Sequence, residues 1–232
     1  MKIEINNCYN LDCEVGMRQM KEQGIVADWC ITDPPYGIEI GKMGFATSAN
    51  KITGNSRAKR KDYRCSEKSW DKERISGGTF DLIKECSKEQ IIFGGNYYTD
   101  YLPPTKSWVI WDKRSFSLSE RTSFADCEMA WCSQGVARIF RYLYSGMLQD
   151  DMQNKDYRFH PTQKPTQLWL QILDFYTKEG DLILDPFAGS QSLRIACHKL
   201  NRNYIGFEID KTYYDKGCEW YENATSQISI FD

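Results

Sequence analysis

The stretch Gly180–Asp210 reads GDLILDPFAGSQSLRIACHKLNRNYIGFEID, and its rhythm decides the fold. Leu182, Ile183 and Leu184 form a short, wholly apolar run, the pattern of a strand buried on both faces. Pro186 cannot donate to a sheet ladder, so the strand stops at Asp185. A small-residue turn, Ala188-Gly189-Ser190, leads into a helix expected over 191–200, and a second strand is expected over 203–208. Strand, turn, helix and strand at this spacing predict a parallel βαβ unit. A final helix is expected over 212–224. On the other side, a helix using Pro165 as a first-turn residue runs to about Lys178 and ends at Gly180.

The first half carries a second strand that ends in the same way. Ala27 to Asp33 is short and largely apolar, and it stops at Pro34-Pro35. Before it, 2–6 alternates as an exposed strand does, and 14–23 shows helical spacing with Gly24 as cap. Beyond it, a helix is expected near 79–87 and strands at 90–93 and 108–111. Residues 126–132 and 136–143 read as a hairpin around Gln134-Gly135. Residues 38–76, rich in Gly, Ser, Lys and Arg, and the polar segment 145–158 show no periodicity.

Composition narrows the function classes. The 232 residues carry 30 Lys and Arg against 32 Asp and Glu, so a globally cationic nucleic-acid coat is excluded, and any such site is a local patch. With 41% hydrophobic and 27% charged residues the chain reads as globular rather than disordered. No apolar run approaches the ~18 residues of a membrane span, and the polar N-terminus does not resemble a signal peptide, so the expected compartment is the cytoplasm. Nine cysteines include no C-x-x-C pair and there are two histidines, which points to reduced, structural thiols and no metal site.

Ligands of open α/β sheets bind beyond the carboxyl ends of the strands, where both Asp-Pro turns lie. Ala188 and Gly189 permit close backbone approach, and the helix start offers free N–H groups. Glu208 ends the next strand about 20 residues on, where dinucleotide folds place a ribose-binding acid. The G-x-G-x-x-G fingerprint is missing, which favours an adenosine ligand without a pyrophosphate and disfavours NAD. At the first turn, the Asp33 carboxylate and the Pro34 carbonyl are two acceptors for one exocyclic amino group, and Tyr36 offers a ring for stacking on a base. An amino group held through both hydrogens becomes a better nucleophile. Lys51, Arg57, Lys59, Arg60, Lys61 and Arg64 follow in a polar loop opposed by Asp62 alone, and four phosphate contacts from it would give a salt slope of about −3.6.

Asp33-Pro-Pro-Tyr36, His160-Pro-Thr-Gln-Lys-Pro165 and Asp185-Pro-Phe-Ala-Gly-Ser190 resemble the signature motifs of S-adenosylmethionine-dependent DNA amino-methyltransferases, in the order of the β group. Ile91–Asn96, Trp108–Lys113 and Phe207–Asp210 are similar to stretches of small phage and prophage members. The resemblance implies a Rossmann-like methyltransferase fold: a mixed, mostly parallel seven-stranded sheet, helices on both faces and circularly permuted motif order. It implies one domain over 1–232, with a catalytic half at 1–144 and a cofactor half at 156–232.

The implied activity is transfer of a methyl group from S-adenosylmethionine to N6 of an adenine flipped out of double-stranded DNA. The alternatives are cytosine-N4 or RNA amino methylation, or a catalytically impaired DNA-binding member. The resemblance implies Asp33, Pro34, Pro35 and Tyr36 as the base pocket. It implies Asp12, Cys13, Asp33, Thr162, Gln163, Lys164, Asp185, Phe187, Ala188, Gly189, Ser190 and Glu208 as cofactor contacts, with Cys13 equally readable as a core thiol and His160 as a structural residue of its turn. Arg114 and Arg121 join the basic loop as DNA contacts. Partners compatible with the resemblance are a second copy of the chain and a separate restriction endonuclease. Where the family usually continues Gly-Ser-Gly, this chain has Gln191; a side chain there crowds the cofactor if the residue sits at φ > 0, or else points to solvent at the first helical turn.

Overall fold

A computed structural model describes residues 1–37, 73–113, 125–145 and 148–226. Its centre is an eight-stranded sheet. In chain order the strands are β1 (Asn7–Tyr9), β2 (Ala27–Thr32), β3 (Ser87–Phe93), β4 (Trp108–Asp112), β5 (Cys127–Cys132), β6 (Arg138–Arg141), β9 (Leu182–Asp185) and β10 (Asn203–Phe207). A separate ribbon pairs β7 (Tyr144–Ser145) with β8 (Leu148–Gln149). The helices are α1 (Cys13–Glu22), α2 (Gly77–Cys86), α3 (Thr166–Tyr176), α4 (Ser192–Lys199) and α5 (Lys211–Thr225). None of them is long and apolar enough to cross a membrane.

The strand order is β1-β10-β9-β2-β3-β5-β4-β6. The first five run parallel, β5 lies antiparallel between β3 and β4, and β6 runs parallel to β4. The sheet is therefore mixed and mostly parallel, with eight strands instead of the expected seven. The three-residue β1 and four-residue β6 close its two edges.

Both faces are covered, which explains the near-continuous apolar runs. Trp29, Ile31, Ile183 and Tyr204 pack with Leu168, Trp169 and Leu173 of α3 and with Leu193 and Ala196 of α4. Cys30, Leu184, Ile205 and Phe207 face the other way, onto Met17 and Met20 of α1 and Phe80 and Ile83 of α2.

Three expectations are corrected. Residues 2–6 are not a strand: Asn6 turns the chain at φ 68°, its N–H bonds the Tyr204 carbonyl at 2.7 Å, and pairing with β10 begins only at Asn7. Residues 126–132 and 136–143 are not a hairpin. Both edges of β5 are taken, by β3 and β4, so β6 crosses to the outer edge of β4. Pro165 is the N-cap of α3 rather than its first residue.

Helix α1 rests on the sheet through Gly16, where an added Cβ would lie 2.3 Å from the Phe207 ring. Helix propensity alone makes Gly→Ala stabilising by about 0.5–1 kcal/mol. Here the ring is fully buried and cannot retreat, so overpacking of about 1–3 kcal/mol decides the sign. Gly16→Ala is expected to lower the urea midpoint, and a midpoint equal to or above the parent's would contradict this packing.

Candidate active site

The site lies where the sheet changes direction. From β9 the chain crosses through α4 to β10 on one face, and from β2 it crosses through α2 to β3 on the opposite face. β2 and β9 are neighbours, with Trp29 opposite Ile183 and Cys30 opposite Leu184. They form the topological switch point, where crossovers diverge and leave a crevice at the carboxyl ends. The two Asp-Pro turns thus emerge side by side, although Asp33 and Asp185 are 152 residues apart in sequence. The Thr32 hydroxyl at the end of β2 donates to Asp185 Oδ1 at 2.7 Å and joins the two strand ends.

On the β2 side, Asp33 is held by both oxygens. The Tyr36 hydroxyl donates to Oδ1 and the Lys164 ammonium to Oδ2. Lys164 also reaches Glu128 Oε2 at 3.0 Å, and Lys113 reaches Glu128 Oε1 at 3.1 Å. Two carboxylates and two ammoniums therefore form a chain of alternating charge. Burial pushes the Asp33 carboxyl up against the pull of Lys164, and the nearby Glu128 adds to the rise. Burial also opposes the charge on Glu128, but Lys164 and Lys113 outweigh it and hold that carboxyl below its usual range. Lys164 is desolvated too, yet Asp33 and Glu128 keep it firmly protonated.

Around this chain stand aromatic rings. Tyr36 stacks on Tyr97 with centroids 4.9 Å apart at 19°. Tyr98 donates to the Pro35 carbonyl and holds the Pro-Pro turn. Arg74 pins the segment from outside through the Tyr97 carbonyl at 2.6 Å and Asp100 at 2.8 Å.

On the β9 side, Asp33, His160, Thr162, Gln163, Lys164, Asp185, Phe187, Ala188, Gly189 and Ser190 line one cleft, with Trp169, Ser192 and Leu193 at its floor. The structure brings these predicted residues together. Glu208 stands behind the turn: its Oε2 accepts the Gly189 N–H at 2.8 Å and its Oε1 the Asp210 N–H at 2.7 Å. Asp12 is the N-cap of α1, accepting from the N–H groups of Glu14 and Val15, with Cys13 as that helix's first residue. Neither Asp12 nor Cys13 lines the cleft. Gln163 turns its amide toward its own loop, bonding the Phe159 N–H and the Tyr157 carbonyl. His160 packs edge-on against Tyr213 at 4.3 Å and approaches Thr162 at 3.3 Å.

Gln191 follows neither course open to it from sequence. It takes φ 61°, a conformation costing a non-glycine residue about 1–3 kcal/mol, and it is completely buried. Its amide points away from the cleft into the α4–α5 contact, donating to the Tyr214 carbonyl at 3.1 Å and accepting from Arg194 at 2.9 Å. Gly217 of α5 makes room, since a Cβ there would meet the Gln191 amide nitrogen at 2.6 Å.

Sequence reading missed Glu128, Lys113, Thr32 and Tyr97. The available signal was Glu128, a charged residue inside an otherwise apolar strand. Lys51, Arg57, Lys59, Arg60, Lys61, Arg64, Arg114 and Arg121, the expected DNA contacts, lie outside the described residues.

Burial pushes Asp185 up to about 7, opposed by its bonds from Thr32, Phe187 and Tyr204. It pushes Glu208 up to about 7 as well, opposed by the Asp210 and Gly189 N–H groups. Unfolded, these groups titrate near about 4. Between about 4 and 7 the folded chain binds more protons than the unfolded one, so their stabilising contribution is complete below pH 4 and is lost as pH rises through 7. The parent's melting temperature is expected to fall more from pH 5 to pH 8 than that of Asp185→Asn or Glu208→Gln. Identical slopes in all three proteins would show that neither carboxyl is shifted.

With this geometry in place, comparison with known proteins is informative. A family model for N6_N4 DNA methylases matches residues 100–219. The chain is 44% identical to the Type II methyltransferase M.HpaI of Haemophilus parainfluenzae over 79 residues, 34% of this chain and 24% of that protein. It is 29% identical to the Type II methyltransferase M2.MboI of Moraxella bovis over an alignment of 261 positions, covering 94% of this chain and 88% of that one. It thus spans about a quarter of the first relative and most of the second. In fold it resembles the crystal structure of the M1.HpyAVI-SAM complex, with a TM-score of 0.57 at 22% identity over 92% of this chain and 98% of that one.

Proposed function

The chain belongs to the N6_N4 DNA methylase family, and from that premise we propose that it methylates the N6 amino group of an adenine flipped out of double-stranded DNA, using S-adenosylmethionine. The observation that carries this reading is the pairing of two Asp-Pro turns at one switch point. One turn presents Asp33 beside aromatic rings, and the other opens a cleft lined by its own small residues, by Asp33 and Asp185, and by the His160–Lys164 segment.

The cleft suits that cofactor by its donor set. Glu208 and Asp185 are buried carboxyls with no phosphate-binding fingerprint nearby, an environment that repels pyrophosphate and favours hydroxyls and an ammonium. Each Glu208 oxygen spends one acceptor site on a backbone N–H and keeps another for a ribose hydroxyl. Gly189 brings no side chain to the turn between them. Phe187, Ala188, Gly189, Ser190 and Glu208 would hold the nucleoside, and Asp185 the amino group at the amino-acid end, beside Thr162 and Lys164. Gln163 serves by shaping the loop. When bound, S-adenosylmethionine supplies a sulfonium methyl group for transfer.

The chain's own residues would do the rest. Asp33 and the Pro34 carbonyl accept the two amino hydrogens and aim the nitrogen lone pair. Tyr36 and Tyr97 form an aromatic wall that offsets part of the few kcal/mol of unstacking. After transfer the amine carries an extra proton, and Asp33, whose carboxyl is raised by burial, takes it or passes it to water. The family model covers N4 as well as N6 methylases, and Asp rather than Ser at position 33 supports adenine. The Type II methyltransferases among its relatives support reading the chain as the methylating member of a restriction pair, with the basic residues of 51–64 on the DNA backbone.

The test is expression in a host without DNA methylation, followed by single-molecule sequencing of its genome. N6-methyladenine in one sequence context is expected, falling about 100-fold or more with Asp33→Ala. Modified cytosines would replace the base assignment. No modified base from a folded protein would overturn the reading.

A further inference from the structure

Lys164 belongs to both parts of the site. Its ammonium donates to Asp33 and Glu128, it lies 4.8 Å above the Phe93 ring, and its side chain lines the cleft that holds Asp185 and Ser190. It is 5% exposed, so its charge depends on protein partners rather than water. Asp33, in turn, already accepts from the Tyr36 hydroxyl at Oδ1 and from the Lys164 ammonium at Oδ2. A buried ammonium is among the strongest donors a carboxylate can meet. An incoming amino group competes poorly with it, and an ammonium leaving one carboxylate without reaching another would be stranded.

Glu128 removes that penalty. Lys113 anchors it at 3.1 Å through the other carboxylate oxygen, so it keeps its charge and its place while Lys164 moves. An anion arriving in the cleft would give the ammonium a second partner. Resting on the function proposed above, the cofactor's amino-acid end carries such an anion, its carboxylate.

We propose that Lys164 is a positioning residue that links the two binding events: it turns from Asp33 to the cofactor's carboxylate while Glu128 retains it, and this frees Asp33 to accept the amino group of the target base. Cofactor and DNA then bind cooperatively, and by linkage each tightens the other by the same factor. Loss of Glu128 leaves Lys164, among the described residues, with Asp33 as its one carboxylate partner in the resting site, so release becomes harder.

The experiment measures DNA affinity by fluorescence anisotropy, using a duplex that carries the site mapped by sequencing. It is run alone, with S-adenosylhomocysteine, and with decarboxylated S-adenosylhomocysteine, which lacks only the carboxylate. In the parent, S-adenosylhomocysteine is expected to tighten DNA binding about fivefold or more, and the decarboxylated compound to change it less than about twofold. In Lys164→Met both compounds are expected to be without effect. In Glu128→Gln the tightening shrinks, and KM for DNA measured with the cofactor present rises, while DNA affinity without cofactor changes little.

Equal tightening by the two compounds overturns the proposal, as does tightening that survives Lys164→Met or is undiminished in Glu128→Gln. Should Lys164→Met fail to fold, the parent's response to the two compounds and the Glu128→Gln result decide. A parent that methylates DNA without this coupling overturns the proposal alone. A folded parent that neither binds S-adenosylhomocysteine nor methylates overturns the function it rests on, and the proposal with it.

Discussion

The parallel pairing of β2 with β9 is the constraint on which the site depends. Residues 27–32 and 182–185 are separated by most of the chain, yet Trp29 lies opposite Ile183 and Cys30 opposite Leu184. That register brings Thr32 within 2.7 Å of Asp185 and sends both Asp-Pro turns into the same crevice. Because the side-chain period of a strand is two, a slip of one residue would exchange Ile31 with Cys30 and Ile183 with Leu184 between the two helical layers. Two differently shaped cores, one on each face, hold the register against such a slip.

Charge is distributed over this frame with little waste. Asp33, Lys164, Glu128 and Lys113 alternate in sign, so a buried carboxylate is tolerated at the point where an amino group must be recognised. A carboxylate buried without a partner would be neutralised by protonation, and one paired too tightly would be unavailable. Sharing Lys164 between two acids places Asp33 between these limits. On the other side of the switch point, Asp185 and Glu208 are held by hydroxyls and backbone N–H groups instead of cations. Their raised carboxyls fit a ligand that brings its own positive charge.

The α4–α5 contact shows how a long side chain at this position of the turn is accommodated without closing the site. Gln191 occupies a left-handed position suited to glycine, and the strain is offset by hydrogen bonds to Tyr214 and Arg194 and by full burial. Gly217 supplies the missing space from the opposite helix. Gln191 supplies the side-chain volume of the contact and Gly217 the space for it, and the amide stays out of the cleft.

Much of the fold was legible in the sequence because its signals are local. Leu182–Leu184 before Pro186 and Ala27–Thr32 before Pro34 declare buried strands that stop, and the helices at 14–23 and 212–224 follow from spacing and caps. The two Asp-Pro turns were equally legible, since proline and glycine restrict the backbone wherever they stand. Pairing partners were not. The Gln134-Gly135 turn signal is present, but it does not reveal that β4 and β3 already occupy both edges of β5. Nor did local pattern disclose Glu128, whose meaning comes from a lysine 36 residues later in the chain meeting it at 3.0 Å, or the direction of Gln191, which is set by a glycine on another helix. The sequence by itself determined the buried strands and helices around the two Asp-Pro turns, and the residue types at those turns, because those obey backbone sterics and burial periodicity. Only the tertiary structure decided which turns share a crevice and which charges share a proton donor, because such contacts depend on distance in space, and separation along the chain carries almost none of it.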